Sequence, residues 1–199
     1  MAVSLGAAYV GVIFAGGPRA VTAERAREIL ANIPRKVRAV GVFAGQDAAE
    51  IQRVVDVAGL DVVQLHGEAT EARIAELRAT INAEIWPVVR VSGPLPEELE
   101  ALIDVSDGLL LDAYSPKGLG GTGVSFDWDA VAADLQMIRG EQPIILAGGL
   151  RPENVAEAIA ALSPDIVDVS SGVESAPGIK DHDRMRAFRD AVMHASISI

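Results

Sequence analysis

The strongest constraint on this chain is a hydrophobic period that switches back and forth along its whole length. Short apolar, β-branched runs occur at Tyr9–Phe14, Val37–Ala44, Asp61–His66, Ile85–Val91, Gly108–Asp112, Pro143–Ala147 and Ile166–Val169, and stretches with helical spacing separate them. Continuously apolar strands alternating with helices specify a parallel sheet, because parallel strands need crossovers and the helices cover the sheet faces. Seven such units in 199 residues leave no room for long insertions. The expected fold is therefore α/β, a TIM-type (β/α)8 barrel rather than a doubly wound sheet. No Pro/Ser-rich linker or low-complexity tract interrupts the series, so residues 1–199 read as a single barrel domain.

The helical stretches carry recognisable punctuation. Asp47 with Glu50 resembles a capping box, Ile51, Val54, Val55 and Ala58 fall at i, i+3, i+4 and i+7, and Gly59 sits where a left-handed cap belongs. After Thr22 the stripe repeats as Ala26, Ile29, Leu30 and Ile33 and stops at Pro34. Further helices are expected near 70–80, 96–104, 127–139, 152–162 and 182–194, the last with Met185, Phe188 and Val192 as its apolar stripe. Met1–Leu5 followed by Gly6 reads as the tail of a helix and its cap. On that reading the first strand and most of the first helix of the barrel are absent from this chain.

Composition narrows the function classes. Half the residues are apolar and 23% are charged, enough to bury a sizeable core. Seventeen basic residues against 28 acidic ones give a net charge of −11 with no basic block, which argues against a nucleic-acid partner. No apolar run approaches the ~18–20 residues that span a bilayer, and no secretory signal opens the chain, so the expectation is a soluble, cytoplasmic protein without a membrane partner. Cysteine is absent, which removes thiolate ligands and any Cys nucleophile or base. The three histidines, His66, His182 and His194, lack zinc spacing, so no metal is expected.

In such barrels the chemistry clusters at the carboxyl ends of the strands. Period-2 alternation puts Gln64 and His66 on one face of their strand and Asp168 with Ser170 on one face of another, while Asp112 ends its own. Asp112 reads either as a loop-start cap or as a general acid, which must still carry a proton near neutral pH. Asp168, flanked by apolar strand residues, needs a partner: a basic side chain or a ligand hydroxyl. His66 reads as a hydrogen-bonded structural histidine or a pocket residue, and Arg19 as a solvated surface residue or a ligand contact.

Two neighbouring strand ends point to a ligand class. Ala147-Gly148-Gly149-Leu-Arg-Pro152 leads into a helix, with Pro152 suited to its first turn, and Ser170-Ser171-Gly172 follows the next strand. Glycines let backbone N–H groups approach an anion and a helix start adds a favourable dipole, so a phosphate is the natural occupant. The glycine cluster Lys117–Gly123 reads as a surface loop or as a mobile lid over the mouth.

Several motifs in order carry a family resemblance: Val40-Gly-Val-Phe-Ala44, Val63-Gln-Leu-His-Gly67, Leu110-Leu-Asp112, Gly120-Gly-Thr-Gly123 with Phe126-Asp-Trp128, Ala147-Gly-Gly-Leu150 with Pro152-Glu-Asn-Val155, and Asp168-Val-Ser-Ser-Gly-Val-Glu174 before Pro177-Gly178 and Lys180-Asp-His-Asp183. Together they resemble phosphoribosylanthranilate isomerase of tryptophan biosynthesis over nearly the whole chain. The resemblance implies an Amadori rearrangement of a small phosphorylated substrate without metal or organic cofactor. It implies Asp112 as general acid, Arg19 on the anthranilate carboxylate, Gln64, His66 and Asp168 lining the pocket, and Gly148, Gly149, Ser171 and Gly172 on the phosphate. It also implies a Cys base on a first-strand Lys-Ile-Cys-Gly-type segment, and this sequence begins downstream of it. The Gly16-Gly-Pro18 turn before Arg19 departs from the family's usual Tyr-Pro-Lys-Ser-like stretch.

The favoured expectation is an amino-terminally truncated isomerase that, with two unpaired strand edges, is weakly stable, self-associates or rearranges its first residues. Two alternatives remain open on the residues alone. One is a histidine-pathway aminoaldose phosphate isomerase using Asp112 and Asp168 as acid and base; the other is a non-catalytic binder of a phosphorylated ligand.

Overall fold

The computed structural model describes all residues except 68, 92–94, 96–98, 114–127, 139 and 198–199. Seven strands follow one another in the sheet in chain order: β1 (Tyr9–Ile13), β2 (Arg38–Phe43), β3 (Val62–Leu65), β4 (Glu84–Val91), β5 (Leu109–Ala113), β6 (Ile144–Ala147) and β7 (Ile166–Val167). Pairs β1–β2, β2–β3, β3–β4 and β6–β7 are parallel. The helices are α1 (Ala23–Leu30), α2 (Ala48–Ala58), α3 (Glu71–Arg78), α4 (Leu99–Val105), α5 (Trp128–Ile138), α6 (Val155–Leu162) and α7 (His182–Ile197). A short antiparallel hairpin, β8 (Glu174–Ala176) with β9 (Ile179–Lys180), follows a 3-10 turn at Ser171–Val173. Val3–Leu5 forms a second 3-10 turn, closed by Gly6 at φ 89°.

Two compact units divide the chain: residues Met1–Val88 with Ala101–Leu109, and Val89–Glu100 with Leu110–Ile199. In the first, β1–β3 and the start of β4 lay Val12, Ala39, Phe43, Val63, Leu65 and Ile85 against Ala26, Leu30, Ile51, Val54, Val55 and Ile74 of the helices. Caps and stripes explain the helices: Thr22, Asp47 and Thr70 each accept the N–H three residues on, and Gly59 ends α2 at φ 68°. In the second unit Leu110, Leu111, Ile144, Ile145 and Leu146 are buried with Val131, Leu135, Val155, Ala158 and Ile159.

Every expected strand forms, with ends shifted by at most two residues, β4 starting one residue early at Glu84 and β5 running one residue on to Ala113. Three local readings need correcting. Ile29 is 41% exposed, because the buried face of α1 runs through Ala23, Ala26 and Leu30. Pro152 lies in a turn, and α6 begins at Val155. Asp112 is inside β5 rather than at its end, and Asp168 lies beyond β7, half-buried. The expected lid at 117–123, the Gly120–Gly123 and Phe126-Asp127 motif residues, and the starts of the helices at 96–98 and 127 lie outside the described residues. Among the described residues no helix is long and apolar enough to cross a membrane.

The amino ends of the strands share one device. Asp61, just before β3, donates its N–H to the Ala39 carbonyl at 2.8 Å and accepts the Ala39 N–H on its carboxylate at 2.7 Å. Asp107 repeats this with Ile85 at 3.1 and 2.9 Å. In the second unit Asp165 repeats it with Ile144 at 3.0 and 2.9 Å. Each carboxylate thus closes a ring with the residue opposite and pins the register of its strand pair. Beside the first two lies an open cleft of about 520 Å³ lined by Arg38, Asp61, Arg78, Glu84 and Asp107 among others. Its cations are spoken for: Arg38 pairs with Glu84 at 2.7 Å and Arg78 with Asp107 at 2.9 Å. Partial burial alone would lower the Arg38 pKa, but the hydrogen bond and charge of Glu84 outweigh it and hold the guanidinium above its usual value.

Candidate active site

The opposite, carboxyl ends of the strands hold the residues singled out by sequence. In the first unit β3 is wholly buried, and Gln64 is 4% exposed in register with Val42 and Trp86. His66 follows, half-buried and engaged by its surroundings; its N–H donates to the Phe43 carbonyl at 2.8 Å before Gly67 turns the chain at φ 104°. Arg19 is half-buried on the loop after β1, which swings through Gly17 at φ 92° and returns to the strand where the Val21 N–H meets the Ile13 carbonyl at 2.9 Å. Gln46 braces that loop from the next one: its amide oxygen accepts the Ala44 N–H at 2.7 Å and its NH₂ donates to the Phe14 carbonyl at 3.0 Å. Sequence reading missed Gln46, since its two contacts lie on different strand ends.

In the second unit Asp112 is the first polar side chain to emerge from β5, after Leu109, Leu110 and Leu111, each at most 1% exposed. A carboxyl rising half-buried from such a base can present a proton to a ligand while its backbone stays fixed in the strand.

After β6, Gly148 and Gly149 adopt φ 89° and 62°, a conformation that side chains resist. Asn154 then staples the turn: its oxygen accepts the Arg151 N–H at 2.8 Å and its NH₂ donates to the Gly149 carbonyl at 3.2 Å. After β7, the Asp168 N–H donates to the Leu146 carbonyl at 2.8 Å, and Ser170 leads into the 3-10 turn. Asp168 is engaged and half-buried rather than sealed in an apolar strand.

Gly172 joins the two loops. A Cβ there would stand 1.8 Å from the Leu150 carbonyl oxygen and 3.1 Å from the Arg151 Cα, so only glycine lets the turns close up. Gly172 thus packs its backbone directly on the Leu150–Arg151 segment that follows Gly148 and Gly149. Among the described residues no group of three or more His, Asp or Glu is gathered to hold a metal.

The family model for N-(5'-phosphoribosyl)anthranilate (PRA) isomerase matches residues 1–191. An N-(5'-phosphoribosyl)anthranilate isomerase of Paracoccus denitrificans is 47% identical over 194 residues, covering 94% of this chain and 87% of its own length. The crystal structure of phosphoribosyl anthranilate isomerase from Thermotoga maritima is 34% identical with a TM-score of 0.83, over 97% of this chain and 91% of that one. A further isomerase structure, 32% identical with a TM-score of 0.81 over 97% and 91% of the two chains, is a complex with reduced 1-(o-carboxyphenylamino)-1-deoxyribulose 5-phosphate. These likenesses identify the fold as the TIM-type barrel. The chain belongs to the N-(5'-phosphoribosyl)anthranilate isomerase family, the isomerases of tryptophan biosynthesis.

Proposed function

We propose that this chain converts N-(5'-phosphoribosyl)anthranilate into 1-(2-carboxyphenylamino)-1-deoxyribulose 5-phosphate with Asp112 as the acid. Asp112 protonates the ribose ring oxygen, and the C1'–O bond breaks to leave a Schiff base. Loss of the C2' proton gives an enolamine, which tautomerises to the ketone product. The 199 residues hold no thiol for that second step. Arg19 pairs with the anthranilate carboxylate, a fit of planar guanidinium to planar anion. Gln64, His66 and Asp168 line the sugar and ring, and Gly148, Gly149, Ser171 and Gly172 take the phosphate through backbone donors.

The observation that carries this reading is the closure of the two glycine turns at Gly172 and Leu150, on the same unit and at the same strand ends as Asp112. The phosphorylated ligand of the related structure supports the ligand class. We place the protein in the cytoplasm, with a small phosphorylated substrate, no nucleic-acid or membrane partner, and self-association as a trait to measure by sedimentation.

The test is conversion of phosphoribosylanthranilate by the 199-residue chain beside its Asp112→Asn variant, with binding of the reduced product analogue measured on both. Turnover that disappears in the variant while analogue binding persists supports the acid role. A variant that turns over like the parent removes Asp112 from the chemistry. Binding without turnover in the parent chain favours the non-catalytic alternative.

A further inference from the structure

The motif from Glu174 to Asp183 is not used by the mechanism above, yet it contains a buried carboxylate. The Glu174 side chain is 4% exposed, and the Nζ of Lys180, whose side chain is 40% exposed, lies 3.1 Å from its Oε1. The two residues face each other across the β8–β9 hairpin, which Gly178 turns at φ 81°. An ion pair whose acid is withdrawn from water gains little net stability over an apolar pair of similar size, so its presence calls for a geometric reason.

That reason lies in the second bond of the ammonium. Lys180 Nζ also donates to the Ser170 carbonyl at 2.9 Å. The Ser170–Ser171 peptide is trans, so its C=O and its N–H point in opposite directions across one rigid plane. Whatever holds the Ser170 oxygen therefore aims the Ser171 N–H. Among the described residues the backbone contact to that oxygen is the long 3.4 Å one from the Val173 N–H, a weak restraint by itself. Other bonds fix the frame around it: the Glu174 N–H donates to Ser171, the Asp181 N–H to Val173 at 2.8 Å, and Arg184 to the Glu174 carbonyl at 3.3 Å.

We propose that Lys180, held by the buried Glu174 carboxylate, is a positioning residue that orients the Ser170–Ser171 peptide so that the Ser171 amide faces the substrate phosphate. The lysine turns an anion-repelling carbonyl away and the amide toward the ligand, without touching the ligand itself. This rests on the phosphate reading of the Gly148–Gly149 and Ser171–Gly172 turns.

The experiment titrates the full chain and the variants Lys180→Met, Lys180→Arg, Glu174→Gln and Gly172→Ala with inorganic phosphate, with the reduced product analogue and with its dephosphorylated form, alongside thermal unfolding. Lys180→Met is expected to weaken phosphate and the phosphorylated analogue about tenfold, the scale of one misdirected charge-assisted contact. The dephosphorylated form should bind as it does to the parent, and Lys180→Arg should recover most of the loss. Should Lys180→Met fail to fold, Glu174→Gln, which keeps an oxygen beside the ammonium and removes the charge, is expected to show the same selective loss at smaller size. A lower melting temperature with unchanged phosphate affinity overturns the proposal and leaves the pair a purely structural brace. If Gly172→Ala weakens phosphate and neither the Lys180 nor the Glu174 variant does, the proposal falls while the phosphate site stands. If none of the variants affects phosphate, the site reading falls and the proposal with it.

Discussion

The two ends of the strands use the same side chain in opposite ways. At the amino ends Asp61, Asp107 and Asp165 each spend the carboxylate on the N–H of the neighbouring strand, and nearby arginines are paired with acids. At the carboxyl ends Asp112, the last but one residue of β5, and Asp168, just beyond β7, stand half-buried. A carboxylate that closes a backbone ring has its geometry settled by folding and little left to offer a ligand. On the proposed function, the carboxyl that rises half-buried from β5 does the chemistry instead. The difference teaches that residue type marks neither role; the end of the strand does.

The largest effect should come from challenging that division directly. Asp112→Asn is expected to lower turnover by about 10²–10⁴-fold, while its denaturation midpoint stays near that of the parent. A midpoint shift as large as that of an amino-end variant would erase the contrast. Gly172→Ala comes next: the methyl cannot coexist with the Leu150 carbonyl at 1.8 Å, so the turn must move. A displaced wall of donors should cost about 10²-fold in affinity for the phosphorylated analogue.

At the other end, Asp107→Ala strands the Ile85 N–H and leaves Arg78 without its acid, and should destabilise by about 1–3 kcal/mol in urea unfolding. Its affinity for the phosphorylated analogue should match the parent; a specific loss of ligand would blur the two ends. The smallest effect concerns acid stability at α7. The Arg184 backbone N–H, then that of Asp183, hold the exposed Asp181 carboxyl below its usual value, with the Arg184 and His182 charges adding to the shift. A lowered folded-state pKa contributes stability that is present above the unfolded value of about 3.9 and is lost as pH falls through the folded one. The midpoint gap between the parent and Asp181→Ala should therefore shrink as pH is lowered from about 6 to about 2.

Much of the frame was readable in advance because it is local. Seven apolar runs, the Thr22 and Asp47 caps and the Gly59 stop depend on neighbours within four residues, and each forms where the pattern puts it. The failures share a cause. Ile29 satisfies the helical period, but α1 lies against α2 and its buried face runs through Ala23, Ala26 and Leu30, which leaves Ile29 outside it. Pro152 suits a first helical turn, but Asn154 captures the Arg151 N–H and the Gly149 carbonyl, so the helix waits until Val155. The β8–β9 hairpin is too short to show a period at all.

The order of residues alone determined the alternation of strand and helix, the parallel sheet and the absence of thiol chemistry, since each follows from residue type and near-neighbour spacing, while the candidate acid came with the family resemblance. Only the tertiary structure decided that Asp61 answers Ala39, that Gly172 meets the Leu150 carbonyl and that Lys180 reaches back to Ser170. These contacts join residues 10 to 22 positions apart, where a periodicity of two or 3.6 carries no information and chain connectivity leaves the partner open. They exist because parallel strands set side by side bring distant loops to a common edge, where backbone donors and acceptors must find partners.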